Sequence, residues 1–255
     1  MGNLGVIGSP SDWLIASDVS YSKAKELFDI NLIDIDIKEL ISLSINRCEI
    51  CDIDNFNKLF NNQEEINKAY RIYLSLKDIV NKYDLKALTV RCFDLLDTVH
   101  STACLAFSML NSEGITSTCE GDVPSLIGMY LVKKLLNKET FQANPSRIYT
   151  DLNKIVFAHC TLPLSMTSSY IFNTHYESNT GIGIKGEMFE KDVSIFRISS
   201  SLDKYVLLEG KIEKNLSEER LCRTQIEIKL DETSKVDYFL FCLLVIHIYQ
   251  VMKIF

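Results

Sequence analysis

The sequence predicts an α/β fold: a parallel-sheet α/β domain followed by an antiparallel, β-rich, barrel-like C-terminal domain. Three observations carry this. Apolar strands alternate with amphipathic helices as far as residue 150, the pattern of a parallel sheet covered by helices. Beyond residue 150 the segments shorten and alternate with period two between charged or glycine-containing turns. The chain has 255 residues, 47% hydrophobic and 24% charged, which suffices for a packed core without disulfides or metals. The expected domains are 1–150 and 151–255.

Leu4 to Gly8 is a short apolar run ended by Gly8-Ser9-Pro10, a buried strand entering a loop. Ser20 to Phe28 has helical spacing, and Leu32 to Ile37 alternates as a second strand. Lys38 to Ile45 is a short helix. Glu64 to Tyr83 places Ile66, Ala69, Ile72, Tyr73, Leu76, Ile79 and Val80 on one stripe, which predicts a long amphipathic helix. Leu85 to Cys92 is the next strand and Ser101 to Leu110 the next helix, stopped by Asn111-Ser112-Glu113-Gly114. Ile115 to Cys119 is a strand. Asp122 caps a helix reaching Leu136, with Pro124 in its first turn. In the second half, Lys154 to Ala158, Val193 to Ile198, Tyr205 to Leu208 and Thr224 to Leu230 read as strands.

Thirty-four acidic against 27 basic residues give a net charge of −7, with no basic block, which excludes a nucleic-acid partner. Met1-Gly2-Asn3-Leu4-Gly5 has no basic leader. Most of the eight cysteines sit in apolar runs, as buried free thiols in a reducing cytoplasm would. Cys48-x-x-Cys51 has no second pair to complete a zinc site. The apolar stretch from 239 to 252 is 14 residues, short of the ~20 a spanning helix needs, which argues against a membrane anchor.

Cys119-Glu120-Gly121-Asp122-Val123-Pro124 is the most informative segment. Glu120 ends a strand and Asp122 opens a helix, at the sheet edge where such folds hold ligands; a loop charge and a simple cap account for them equally well. His159 follows an apolar strand, and His175-Tyr176-Glu177 forms a second polar cluster with ligand chemistry for a metal or for sugar hydroxyls. Gly181-Ile182-Gly183-Ile184-Lys185-Gly186 matches GxGxxG in form, but no helix follows, so it reads as a hairpin. Arg91, Arg147, Arg197 and Arg223 lie beside strands, as anion ligands or as ion-pair partners.

Several segments in register resemble the L-fucose isomerase-like proteins of the fucose/arabinose isomerase superfamily. They are Gly5 to Ala16, Arg91 to Leu96, Cys119 to Pro124, Phe141-Gln142-Ala143-Asn144-Pro145-Ser146-Arg147, Ala158-His159-Cys160-Thr161, Thr174 to Ser178 and Leu221 to Gln225. The resemblance implies aldose–ketose interconversion of a monosaccharide through an enediol, assisted by bound Mn²⁺. It makes Glu120 a metal ligand and acid/base. It places Asn144 at the second catalytic carboxylate position, and His159 at a ligand histidine. Asp122, Arg147, His175 and Glu177 are then substrate-binding, and a homo-oligomer, trimeric or hexameric in the family, is implied. Two departures stand out. The family's preceding α/β domain is not in this chain, and its terminal Gly-Asn-His is replaced by an aberrant tail after about residue 240, with a displaced His247. The resemblance therefore implies a truncated protein, weak or inactive, with low Mn²⁺ occupancy. The alternatives are a non-catalytic sugar-binding or partner subunit, and an isomerase of a sulfonated sugar held by Arg147 or Arg223.

Overall fold

The computed structural model describes residues 2–14, 16–51, 60, 62–188, 191–237 and 249–252. The expected aberrant tail with His247 lies, apart from 249–252, outside the described residues. No helix among the described residues is long and apolar enough to cross a membrane.

The first half is the predicted parallel sheet. β1 (Gly2–Ile7), β2 (Ile30–Ile35), β3 (Leu85–Val90) and β4 (Thr116–Thr118) lie in the order β2-β1-β3-β4, all parallel. Successive side chains leave a strand on opposite faces. Leu4, Val6 and Ala87 thus pack with α1 (Tyr21–Phe28) and α5 (Val123–Leu136) on one face. Ile7, Leu88 and Val90 pack on the other with α2 (Ile37–Ile45), α3 (Gln63–Lys82) and α4 (Cys104–Ser112). Burial on both faces explains why these strands read as apolar runs.

The caps fix the helix starts. Ser20, Asp36, Asn62 and Asp122 each accept a backbone N–H from the first turn of the helix they open. Asp36 corrects the sequence reading: it caps α2, so β2 ends at Ile35 and Ile37 is helical. α4 starts at Cys104 rather than Ser101, with Ala103 at its N-cap. It runs through Asn111, whose amide bonds the Phe107 carbonyl within the helix and both backbone groups of Ser117 in β4.

Pairing becomes antiparallel at β5 (Thr140–Tyr149), ahead of residue 150. β6 (Lys154–His159), β9 (Asp192–Ile198), β10 (Tyr205–Asn215), β11 (Thr224–Leu230) and β12 (Tyr249–Met252) complete a closed barrel in the order β10-β11-β6-β5-β12-β9. β7 (Thr167–Asn173) and β8 (Gly183–Met188) form a separate antiparallel hairpin. The glycine-rich segment expected to be a hairpin supplies β8.

The sequence reading did not identify β5. Pro145 signals a break in a strand, and here a register shift between Pro145 and Arg147 accommodates it. The barrel core of Phe141, Ala143, Phe157, Ile195 and Ile226 also includes Leu105 of α4 and Ile66 and Ala69 of α3, so the two sheets share buried surface.

Candidate active site

The sheet order changes direction between β1 and β3. The crevice beyond the carboxyl ends of such strands is where open α/β sheets bind ligands. Three loops meet there. The loop after β1 carries Ser9, Ser11 and Trp13; the turn after β3 carries Arg91 and Phe93; the turn after β4 carries Glu120.

The β4 turn is unusual backbone. Glu120 and Gly121 both have positive φ, 65° and 60°. For a residue with a Cβ this costs about 1–2 kcal/mol and persists only where surrounding contacts impose it. Those contacts are specific. The Ser11 hydroxyl donates to the Glu120 carbonyl, and Gly121 N–H donates to the Val90 carbonyl at 2.9 Å. A Cβ on Gly121 would sit 2.7 Å from the Ser9 carbonyl, so glycine is required there. From below, Gln142 of β5 grips Cys119: its Oε1 accepts the Cys119 N–H at 2.7 Å and its Nε2 donates to the Cys119 carbonyl at 3.4 Å.

Gln142 and Asn144 share one face of β5, while Phe141 and Ala143 point into the barrel core. The same strand that clamps Cys119 therefore brings Asn144 to Glu120, and Asn144 Nδ2 donates to Glu120 Oε2 at 3.4 Å. Asn144 Oδ1 is buried with no hydrogen-bond partner among the described residues, which is costly unless a ligand uses it. Glu120 is only partly exposed. Withdrawal from water pushes its carboxyl up to about 7, the charges of Asp122, Glu177 and the Cys160 thiol act in the same direction, and the Asn144 hydrogen bond opposes them. The site thus holds a carboxyl that exchanges a proton near neutrality beside an unpaired amide oxygen.

The other predicted residues divide. Asp122 is fully buried and its carboxylate is committed within the protein. It caps α5 through Ser125 N–H at 2.8 Å and pairs with the equally buried Arg197, whose Nη1 lies 2.9 Å from Oδ2. Arg147 turns outward into a two-pronged pair with Glu218, at 2.9 and 2.8 Å. His159 is buried, which lowers its imidazole to about 4 and keeps it neutral. Its Nδ1 lies 3.0 Å from the Thr161 hydroxyl, and among the described residues no hydrogen bond joins it to Glu120 or Asn144. His175 is buried in the loop after β7. Its Nδ1 contacts the Ser178 hydroxyl at 3.0 Å and its ring meets the edge of Phe93. Glu177, in the same loop, is exposed, and its charge reaches both Glu120 and the Cys222 thiol.

One feature escaped the sequence reading. Trp13, 41% exposed, packs edge-on against Phe93 with the Arg91 guanidinium 4.6 Å from its ring centre, which puts an indole at the mouth of the crevice. A lone tryptophan in a loop was the available signal. Arg223 separates from the other arginines. Its backbone N–H contacts Cys160 Sγ at 3.4 Å, its Nε donates to the Thr174 carbonyl at 2.7 Å, and its guanidinium lies near the Tyr176 ring. It lines a cavity of about 110 Å³ with Asn173, Lys185, Ser217, Glu218, Glu219 and Gln225.

Among the described residues, no three or more His, Cys, Asp or Glu side chains gather as a metal site. The donors that fit a hard divalent cation are two oxygens, the Glu120 carboxylate and the orphaned Asn144 carbonyl.

No protein-family model matches the chain. It is similar to curated proteins named sulfoquinovose isomerase. Those of Priestia aryabhattai and Priestia megaterium are each 22% identical over 89% of this chain and 54% of their own length. That of Alkalicoccus urumqiensis is 20% identical over 90% of this chain and 55% of its own. The chain thus spans about half the length of these relatives. The similarity supports a sugar isomerase family and does not single out the L-fucose isomerases.

Proposed function

We propose that this chain carries the proton-transfer end of an aldose–ketose isomerase site for a sugar with an anionic, sulfonate-type substituent. The observation that carries the reading is Glu120. It is a carboxyl fixed in a strained turn at the sheet's switch point, pushed up to about 7 by withdrawal from water, beside a buried carbonyl with no partner among the described residues. A general base poised near the working pH is what abstraction of a proton next to a sugar carbonyl requires. The similarity to sulfoquinovose isomerases over most of the chain supports the reaction class and the anionic substituent.

In this reading Glu120 takes the proton from C2 of the aldose and returns it to C1, while the hydroxyl proton passes from O2 to O1. Glu177, exposed and near enough to act on Glu120, is the second carboxylate, because Asn144 holds an oxygen but cannot relay a proton. Trp13 offers an indole face to the sugar's C–H groups. Arg223 and Lys185, at the small cavity flanking the site, hold the sulfonate. Glu120 and Asn144 are the residues that would hold Mn²⁺, which when bound supplies Lewis-acid stabilisation of the negative charge developing on the substrate oxygens.

The test is exchange of the C2 proton of sulfoquinovose in D₂O, followed by NMR, together with Mn²⁺ titration by calorimetry for the parent chain and Glu120→Ala. The expected result is exchange and Mn²⁺ binding by the parent, with both lost in the variant; absence of both from the parent overturns the reading. Arg223→Met is expected to raise KM for the sulfonated sugar by about 10–100-fold, since a hydrogen bond to a charged group contributes ~1.5–3 kcal/mol. The amide at Asn144 favours one second reading, a sugar-binding module without turnover, and Mn²⁺ binding with no exchange would select it.

A further inference from the structure

Cys119 immediately precedes Glu120, and its side chain has a partner that the proposed chemistry does not use. Its Sγ lies 2.9 Å from Sγ of Cys92. Both thiols are free and buried, Cys92 5% and Cys119 4% exposed. They stand just past the carboxyl ends of the neighbouring strands β3 and β4, where the site lies. β3 and β4 pair in parallel, Leu88 with Ser117 and Thr89 with Thr118, so Cys119 leaves β4 beside Val90, and Cys92 opens the turn that delivers Phe93.

We propose that Cys92 and Cys119 are a redox pair whose oxidation to a disulfide draws in the chain carrying Glu120 and so switches the site between two states. The oxidant is a peroxide. One thiol gives up its proton and its sulfur attacks a peroxide oxygen; the O–O bond breaks, and the hydroxide that leaves takes up that proton, so a sulfenic acid and one water result. The second thiol sulfur then attacks the first, displacing a second water and forming the S–S bond. Two thiols and one hydrogen peroxide give one disulfide and two waters, with two electrons passing from sulfur to oxygen.

The displacement is set by bond length. A disulfide needs a sulfur separation of ~2.05 Å, so the pair closes by about 0.9 Å. Gln142 holds Cys119 from the opposite side through two backbone bonds, and Glu120 and Gly121 sit in left-handed conformations just beyond it. Movement of Cys119 is therefore taken up in the turn, where two amides depend on the pair's own strands: Gly121 N–H on the Val90 carbonyl at 2.9 Å, and Asp122 N–H on the Cys119 carbonyl at 3.3 Å.

This inference goes beyond the isomerase reading, and its test uses no turnover. The full chain is treated with hydrogen peroxide, remaining thiols are alkylated, and trypsin plus a glutamyl endopeptidase cut it to peptides 92–113 and 114–120. The expected result is a cross-linked pair of these peptides, at least tenfold above the untreated control and reversed by dithiothreitol. It persists in Cys104→Ser, which removes the other thiol of peptide 92–113, and is absent from Cys92→Ser. Hydrogen–deuterium exchange in the segment 121–133 is expected to quicken several-fold on oxidation of the parent and to stay unchanged in Cys92→Ser. Failure to link at peroxide levels that oxidise the exposed Cys48 overturns the proposal. So does a link that forms without any change in exchange at Gly121 and Asp122.

Discussion

Two residues of the site pull stability in opposite directions with pH. The Glu120 carboxyl moves up from 4.5 to about 7 on folding because it is withdrawn from water. Between those values the folded chain holds a proton that the unfolded chain has released, so this contribution falls as pH rises. The His159 imidazole moves down from 6.5 to about 4 because it is buried. Between those values the unfolded chain carries the extra proton, so this contribution falls as pH drops. A full proton difference is worth ~1.4 kcal/mol per pH unit, and across the overlap the two slopes offset one another. Glu120→Gln is therefore expected to convert a nearly level melting temperature between pH 4.5 and 6.5 into one that climbs with pH; a parent profile that climbs as steeply as the variant's would show that Glu120 is not raised. The same variant should lose proton exchange by about 10²–10⁴-fold if Glu120 is the base. Gly121→Ala combines a φ of +60° with a Cβ 2.7 Å from the Ser9 carbonyl, and is expected to cost about 1–3 kcal/mol in urea unfolding.

At the scale of elements, the tie that matters most for the site is the buried pair between Arg197 of β9 and Asp122 at the start of α5. Arg197 also donates to the Ser125 hydroxyl at 2.5 Å and to the Ala16 carbonyl at 3.4 Å. Removing one partner leaves a charge stranded in the core, so Arg197→Ala is expected to cost about 3–5 kcal/mol by denaturant unfolding. Arg197→Ala combined with Asp122→Ser should recover part of this, because serine keeps the cap without the stranded charge; a double variant no more stable than the single would refute the explanation. Only one half of this tie could be read in the sequence. Asp122 before Val123-Pro124 announces a helix cap, whereas Arg197 looks the same as Arg147 and Arg223 until the barrel puts β9 beside α5. The strands and helices of the first half were legible because each buries a periodic stripe. β5 was not, because its apolar–polar alternation lasts only from Phe141 to Asn144 before Pro145 breaks it, and the polar half is what the site uses. Glu120 was legible as a candidate from its place between strand and helix, and Asn144 through the family resemblance, while the burial of the Asn144 carbonyl and its approach to Glu120 required the fold.

For the molecule as a whole, the shared core has a consequence for folding. Ile66 and Ala69 of α3 and Leu105 of α4 pack into the barrel cluster, and Glu65 accepts the Gly181 N–H at 2.7 Å across the same seam. The parallel sheet and the barrel should therefore unfold together. The single tryptophan, Trp13, lies on the first sheet's loop, so its fluorescence should follow the same urea curve as the far-ultraviolet circular dichroism signal, which both halves supply. Two separated transitions would show that the seam is weaker than its contacts suggest.

Strand β5 works as a ruler laid across that seam. Its odd-numbered residues Phe141 and Ala143 are anchored in the barrel, and its even-numbered Gln142 and Asn144 reach out to grip Cys119 and Glu120. Because side chains alternate, a slip of one residue would turn both amides inward and present two apolar groups to the crevice. The shift between Pro145 and Arg147 comes only after this stretch has been read off, so length changes arising farther along the strand are absorbed before they can disturb its graduations. Insertions should be harmless beyond the bulge and ruinous before it, an asymmetry that makes four consecutive residues the calibrated part of the barrel.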